Sequence, residues 1–595
     1  MMEVTARCGV ARTGTWRLGS TRLELPAVLF FTSPRFPPPL YASALLASSP
    51  ISDTRPVVID RGSIFLPQEE PKELSIPPNH AVPPGLRISG IPEQGAGAFK
   101  VVSGPQEVDE SGPQAYVLGG AASYLRDPRG FVELMTTLRT VVGPSRIIYA
   151  PGIALPSNLA MLVYSGVDVV DSLAALFEAG RGRWLSSDGA SLFEQDERPP
   201  CRCSACLSSS GRRALVDHDE IALWEEMELV RACIKSGTLR ELVERRAVNS
   251  PWNTAVLRHL DLRHYDFQEL HFPVVGRRLN AYSHQSLTRP DIVRFRRRIK
   301  ERYLKPPSAK VLLLLPCSAR KPYSLSRSHR KFREAVMSSG NPWAVHEVVV
   351  TSPLGIVPRE LELTYPAAHY DIPVTGDWSR DESAIVREDI ESFLGANKYD
   401  RIVAHLDAER PFVEDVLGGA SFTCKGGATN DESIAALANE LRTTAAKSPK
   451  VDRTVRLLED MTCLARFQFG AGGEALLEGA QLRGRYPEIK ILRGGKQLAM
   501  LTERGLFSLT LDGGSVLSEN DLYCVEIDDF YPQGSVFAVG VDAANEEIRV
   551  GDDAVARHDG EVRAVGVAQM SWREMVESER GEAIKVRHAL RSKPI

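Results

Sequence analysis

From Tyr116 onward, apolar segments alternate between short and long in a way that favours one kind of sheet. Tyr116 to Leu118 reads as a strand, Arg129 to Thr140 as a helix, Arg146 to Ala150 as a strand, Pro156 to Ser165 as a helix and Asp168 to Asp171 as a strand. Strand and helix alternating at this spacing imply a parallel sheet with crossover helices. In an N-terminal block running to about residue 285, a TIM-type (β/α) barrel is the natural form of such a sheet. Residues 1 to about 95 read as β-rich and broken by proline, with apolar stretches at Glu24 to Thr32 and Pro56 to Ile59.

A second α/β unit follows. Lys310 to Pro316, Val345 to Thr351, Asp371 to Val374 and Arg401 to His405 read as strands, and His329 to Met337, Glu382 to Leu394 and Asp431 to Ala446 as helices. Past about Gly505 the pattern changes to short strands with glycine turns. These are Ser515 to Leu517, Cys524 to Ile527, Ser535 to Val541, Ile548 to Val550, Asp553 to Ala556 and Val562 to Ala568, the signature of a small β-barrel. The 595 residues thus divide into four expected parts: a barrel at 1–285 with a metal-binding subdomain at about 195–250, an α/β domain at 286–447, a small α+β connecting domain at 448–520 and a β-barrel at 521–595.

Composition narrows the functional classes. The longest apolar runs, such as Pro26 to Phe31 and Val311 to Leu315, fall far short of the roughly 18 residues of a membrane span, so no membrane crossing is expected. Met1 to Arg22 mixes Glu, Arg and Gly without an apolar core, so no secretory signal is read and a cytoplasmic location is expected. Nine cysteines, odd in number and sparse, do not suit a disulfide framework and leave thiols free for metal or catalysis. With a net charge of −4, a nucleic-acid partner would have to be held by a local patch.

Two clusters carry chemistry. Cys201, Cys203 and Cys206 lie within six residues, and thiolates this close converge on one tetrahedral Zn²⁺ whose fourth ligand is His218 or Cys233. His218 lies near the start of a predicted helix, Glu220 to Cys233. A closed ligand set of this kind is structural. The second cluster is the loop from Pro316 to His329, delivered by the apolar strand Val311 to Leu315 to the carboxyl end of a sheet, where open α/β folds place their ligands. The loop and the residue after it concentrate Cys317, four serines, Tyr323, His329 and the cations Arg320, Lys321, Arg327 and Arg330. Those cations and a helix N-terminus are expected to lower the pKa of Cys317. Upstream, Arg294, Arg296, Arg297, Arg298, Lys300, Arg302, Lys305 and Lys310, with Phe295 and Tyr303 between them, could track a phosphate backbone. Gly470-Ala-Gly472-Gly473 lacks the Gly-Lys-Ser/Thr ending of a P-loop and is read as a turn between strands, so no ATP site is expected.

The run Pro316-Cys317-Ser318-x-x-Lys321-Pro322-Tyr323-x-x-Ser326-x-Ser328-His329 resembles the signature of the archaeosine synthase family, alpha-subunit type, archaeal relatives of tRNA-guanine transglycosylase. Tyr149 to Ala154 with Gly166 to Ser172 is similar to the transglycosylase barrel, and Cys201-x-Cys203-x-x-Cys206 to its zinc loop. Val357 to Glu362 and Tyr370 to Trp378 are similar to the synthase core, and about Asp521 to His588 to the RNA-binding PUA domain. The resemblance implies a substrate tRNA carrying 7-cyano-7-deazaguanine at position 15 of its D-arm. Free lysine would add to the nitrile, and a partner radical-SAM enzyme would cleave the resulting amidine to archaeosine. It further implies Cys317 as nucleophile, His329 or Lys321 as proton carrier, and Ser318, Tyr323, Ser326 and Ser328 as holders of lysine or the base. Direct addition of lysine, with Cys317 only lining the pocket, is the rival within the family. A homodimer is implied by likeness to the transglycosylases.

Asp171 falls where the transglycosylases carry their aspartate nucleophile, and is read as a relic, a tRNA-pocket group or a strand-end structural residue. The base-binding Asp-Ser-Gly-Gly-Phe segment is missing, Asp60-Arg-Gly62-Ser63-Ile-Phe65 being only a distant echo. Two other functions are weighed: a base-exchanging transglycosylase, which that missing segment argues against, and a non-catalytic tRNA-binding subunit, which the loaded Cys317 loop argues against.

Overall fold

The structure, a computed structural model, describes residues 2–18, 21–59, 87–88, 99–109, 114–192, 200–208 and 211–591. The chain forms two compact units. The first is Met1–Phe272 with Glu577–Gly581, and the second is Pro273–Val576 with Glu582–Ile595. The stretch Asp60 to Phe65 lies outside the described residues.

The first unit opens with an antiparallel meander, Met2–Cys8, Ala11–Leu18 and Thr21–Leu25, and continues into an eight-stranded sheet. Its order is Arg87–Ile88, Val57–Ile59, Leu45–Ala47, Ala27–Phe31, Val169–Asp171, Ile147–Tyr149, Ala115–Leu118, Phe99–Val102. Every pairing is parallel except that of Arg87–Ile88 with Val57–Ile59. The last strand along the chain thus lies beside the first of the sheet, the cyclic order that a barrel requires. Side chains sort the same way, because successive strand residues face opposite sides. Ala27, Leu29, Phe31, Val117, Ile147, Tyr149 and Val169 share one core with Trp16 and Leu25 of the meander. Val28, Phe30, Tyr116, Ile148 and Val170 share another with the helices, among them Phe131, Leu134 and Leu162.

In the second unit a five-stranded sheet runs Gly355–Pro358, Val345–Thr351, Val311–Pro316, Arg401–Ala404, Ser421–Phe422, parallel except for its first strand. Val311–Pro316 precedes both of its neighbours in sequence, one on each side. It is therefore the point at which the strand order reverses, and the crevice beyond its carboxyl end is where such sheets bind ligands. Val311, Leu313 and Leu315 pack on one face with Phe332 and Leu441, and Leu312 and Leu314 on the other with Phe295 and Phe393, which explains the unbroken apolar run.

Beyond it lie the helix Arg453–Phe469, a four-stranded antiparallel sheet over Gln481–Leu509, the helix Leu511–Glu519 and a six-stranded sheet over Cys524–Ala589. Three expectations are corrected here. Ser515 to Leu517 is helical, in a helix capped by Thr510 Oγ1, which accepts from the Gly513 amide at 3.3 Å. A Cβ on Gly513 would fall 2.0 Å from the Leu498 carbonyl oxygen, so glycine there serves close packing and not a β-turn. Ile548 to Val550 lies outside the ladders, and Gly470 to Gly473 joins the helix Arg453–Phe469 to a 3₁₀ turn at Gly473–Leu476.

Candidate active site and metal cluster

The loop leaving Val311–Pro316 is pinned at both ends. At its far end Ser326 caps the helix Arg327–Met337, its Oγ accepting from the His329 amide at 3.2 Å and lying 3.1 Å from Ser328 Oγ. At its near end His329 Nε2 donates to the Pro316 carbonyl, 3.0 Å away. Arg359 Nη2, 2.8 Å from His329 Nδ1, can only donate, so Nδ1 is the acceptor and Nε2 carries the proton. Burial, then the Arg359 charge, pushes the His329 pKa down to about 3. His329 is thus a neutral ring with both nitrogens engaged. Ser318 Oγ donates locally, to the Arg320 carbonyl at 2.9 Å.

Beneath Cys317 runs a chain of hydroxyls. The phenols of Tyr323 and Tyr370 lie 2.6 Å apart, and Tyr370 Oη lies 2.5 Å from Thr351 Oγ1. All three residues are buried. Lys321 Nζ sits 4.0 Å from the centre of the Tyr370 ring, buried and with no hydrogen-bond partner among the described residues. Burial pulls the Lys321 pKa below the usual lysine range, with Cys317 and Asp371 opposing it. The expected lowering of the Cys317 pKa is not found: burial raises it, assisted by Glu409 and opposed by a Thr351 hydrogen bond and by Lys321. The reason is geometric, since Arg320, Arg327 and Arg330 are exposed, and among the described residues Lys321 is the cation that acts on the thiol.

Neighbouring strands bring groups that the sequence reading missed. Ala404 pairs with Leu314, and the His405 amide donates to the Leu314 carbonyl at 2.9 Å, so the turn after Arg401–Ala404 emerges on the same edge as Cys317. It carries Asp407 and the buried Glu409. Cys424 follows Ser421–Phe422, and burial with Asp407 and Glu409 pushes its thiol up to about 12. The signal that could have found Thr351 and Glu409 is the strand-end rule already applied to Cys317.

In the first unit, the ligand atoms of Cys201, Cys203, Cys206 and His218 lie within 4.8 Å of one another. His218 Nδ1 is 3.3 Å from Cys203 Sγ and 3.5 Å from Cys206 Sγ, close to the edges of a tetrahedron with metal bonds of about 2.0–2.3 Å. His218 Nε2 donates to the Leu185 carbonyl at 2.8 Å, which turns Nδ1 toward the thiols. Cys233 lies fifteen residues further along the same helix, Gly211–Ser236, or about 22 Å at the helical rise, and is outside the cluster. Asp171, fully buried at its strand end, accepts from Tyr149 Oη at 2.7 Å, from the Gly152 amide at 3.0 Å and from the Leu173 amide at 3.0 Å.

Comparison with known proteins places these features. Residues 104–251 match the family described as Queuine tRNA-ribosyltransferase, 292–441 a Domain of unknown function (DUF5591) and 529–590 the PUA domain. Archaeosine synthase of Haloferax volcanii is 36% identical, the match covering 98% of this chain and 98% of that protein. The chain belongs to the archaeosine synthase family. Archaeosine synthase subunit alpha of Methanosarcina acetivorans is 35% identical over 98% of this chain and 99% of its own. The Thermoplasma acidophilum subunit alpha is 33% identical over 81% of this chain and 89% of its own. In this archaeosine synthase family member the Cys317 crevice lies within the domain of unknown function, and the Cys₃His cluster within the transglycosylase-like region.

The basic stretch of this archaeosine synthase relative is largely occupied by internal pairing. Arg294 and Arg298 are buried, Arg296 pairs with Asp389 at 2.6 and 3.0 Å, and Lys300 pairs with Glu388 at 2.6 Å. Arg302 donates to the Gln468 carbonyl and to Tyr523 Oη, each at 3.1 Å. Its alternation of cations and aromatics comes from a helix, Pro290–Arg302, packed into the second unit.

Proposed function

We propose that this protein modifies tRNA by adding free lysine to the nitrile of 7-cyano-7-deazaguanine at position 15, forming an amidine on the way to archaeosine. The observation that carries this is Cys317 at the reversal point of the sheet, beside a buried Lys321 amine with no hydrogen-bond partner among the described residues. The raised thiol and the lowered amine favour an uncharged resting pair. The Cys317 proton passes to Lys321 as sulfur bonds to the nitrile carbon. Lys321 then delivers that proton to the nitrile nitrogen, giving a thioimidate. The incoming amine bonds to the same carbon, the carbon–sulfur bond breaks and the thiol is regenerated. Nitrile and amine together contain every atom of the amidine, so no ATP is needed.

In this reading Tyr323, Tyr370 and Thr351 seat the thiol, and Ser326, Ser328 and His329 hold the loop in place. Ser318, at the start of the loop, is the serine placed to meet substrate. Asp171 ties the turn at Gly152 to the end of its barrel strand. The PUA domain grips the tRNA, and a second enzyme, of radical-SAM type, takes the amidine onward. A homodimer and the four-part domain division belong to the same proposal. The test is incubation with nitrile-bearing tRNA and isotope-labelled lysine without ATP, followed by nucleoside mass analysis. One labelled lysine added per nitrile nucleoside is the expected result, and bound but unchanged tRNA would sink the reading.

We further propose that the Cys₃His cluster holds one Zn²⁺ as a structural ion, its four protein ligands leaving no open position for chemistry. Purified protein is expected to contain about one zinc per chain. Cys203→Ser should lose most of it and lower the unfolding temperature. A Cys203→Ser protein with full zinc content would show that the ligands lie elsewhere.

A further inference from the structure

Aminolysis of a thioimidate has a requirement that Cys317 and Lys321 do not meet. Near neutral pH the amines of lysine are ammonium ions, with no lone pair to attack carbon. Lys321 is committed to the thiol and nitrile protons, and both His329 nitrogens are engaged, so a separate group must take the proton of the incoming amine.

One residue at the crevice is suited to it. Glu409 stands in the turn after Arg401–Ala404, the strand hydrogen-bonded alongside Val311–Pro316, so its turn and the Cys317 loop leave adjacent strands at the same edge. It is 94% buried, as its 6% exposure gives, and no cation pairs with it among the described residues. Its carboxylate meets backbone amides of its own turn, at Asp407 and Glu409. It acts electrostatically on both thiols of the crevice, Cys317 from the loop after Val311–Pro316 and Cys424 from the segment after Ser421–Phe422. The Trp378 and Phe412 rings pack 5.1 Å apart, Phe412 lying in the helix that Glu409 opens. A buried carboxylate beside a thiol disfavours the thiolate, so in a site meant only to ionise Cys317 it would work against the chemistry. It fits a site that must receive a cation.

We propose that Glu409 is the general base for the second half-reaction: it binds the incoming primary ammonium, takes one proton from it and frees the nitrogen to bond to the thioimidate carbon. This rests on the reading of Cys317 given above. The nitrogen keeps its remaining hydrogens, so the product leaves as a protonated amidine. The carbon–sulfur electron pair returns to sulfur as the bond breaks, and the Glu409 proton passes to that sulfur, regenerating the Cys317 thiol and the Glu409 carboxylate. Burial, with Asp407 adding to it, raises the Glu409 pKa, which strengthens it as a base. Among the described residues, the titratable groups it interacts with are Asp407 in its own turn, Cys317 and Cys424, with Lys321 standing beside Cys317.

The test uses full-length Glu409→Gln, checked to unfold at the wild-type temperature, with nitrile-bearing tRNA. Without an amine, the covalent tRNA adduct at Cys317 should form as in wild type. With lysine at pH 7, turnover should fall by about a hundredfold, and should then rise about tenfold per pH unit as free amine accumulates. Hydroxylamine, uncharged near neutral pH, should restore turnover to within a few-fold of wild type. Equal losses with lysine and hydroxylamine, with no new pH slope, would overturn the role of Glu409. If wild type itself forms no adduct, the covalent reading of Cys317 fails. The pH slope and the hydroxylamine rescue then still decide Glu409 from steady-state turnover, because direct addition of an amine needs the same deprotonation.

Discussion

Cys317→Ser is expected to lower amidine formation by roughly a thousandfold or more while leaving tRNA affinity and the unfolding temperature near wild type. A serine hydroxyl in this half-buried position has neither the acidity nor the softness to add to a nitrile carbon, and Lys321, itself lowered by burial, is too weak a base to ionise it. The structural cost is small. Cys317 packs on the edge of the core of the second unit, and serine keeps a polar hydrogen within reach of Thr351. The contrast separates two mechanisms. If lysine adds directly and the thiol only lines the pocket, the serine variant keeps a substantial share of its rate. Turnover within tenfold of wild type, measured by labelled-lysine incorporation at saturating tRNA, would end the covalent mechanism.

What could be read in the sequence follows from which interactions are local. The strands and helices from Tyr116 to Asp171 show their period in the chain, and the structure returns them within a few residues. The apolar run Val311 to Leu315 announced a buried strand, and the rule about strand ends then put Cys317 at a ligand crevice. Three kinds of information were not local. The barrel begins at Ala27 in a stretch whose strands are three to five residues long, too short to show a period. The effect of Lys321, Glu409 and burial on Cys317 depends on which charges face inward, and counting four cations in a loop overlooks that three of them point to water. By composition the basic residues from Arg294 to Lys310 could track a phosphate backbone, yet Asp389 and Glu388, which pair with Arg296 and Lys300, lie 93 and 88 residues further along the chain. The choice between His218 and Cys233 needed only helical rise once the length of Gly211–Ser236 was known.

The largest effect on stability is expected at Arg359. Its partly buried guanidinium lies against the buried Glu347 at 2.8 Å, the buried Glu362 at 2.9 Å and the Nδ1 of His329, while Arg333 holds the other Glu347 oxygen at 2.7 Å. Glu362 in turn accepts from the Ser324 amide at 3.0 Å, inside the Cys317 loop. Arg359→Ala removes the donor common to three acceptors and leaves Glu362 charged and buried, so a loss of about 3–5 kcal/mol is expected. The Cys317 loop is also released, because His329 loses the partner that fixes its tautomer and its bond to Pro316. Glu347→Gln probes the same cluster through pH. Burial opposes ionisation of Glu347, yet Arg359 and Arg333 hold its pKa down to about 2, against an ordinary 4.5. Its contribution, on the order of 3 kcal/mol, is therefore complete above pH 4.5 and is lost as pH falls toward 2. His329 acts in the same direction over a higher window. Its pKa of about 3 lies below the ordinary 6.5, so the unfolded chain takes up a proton first and stability falls between pH 6.5 and 3. Denaturant titrations across pH should show His329→Gln flattening the slope between about pH 6.5 and 4.5, and Glu347→Gln flattening it below 4.5. If neither variant changes the slope in its own window, the cluster does not carry the acid sensitivity of this unit.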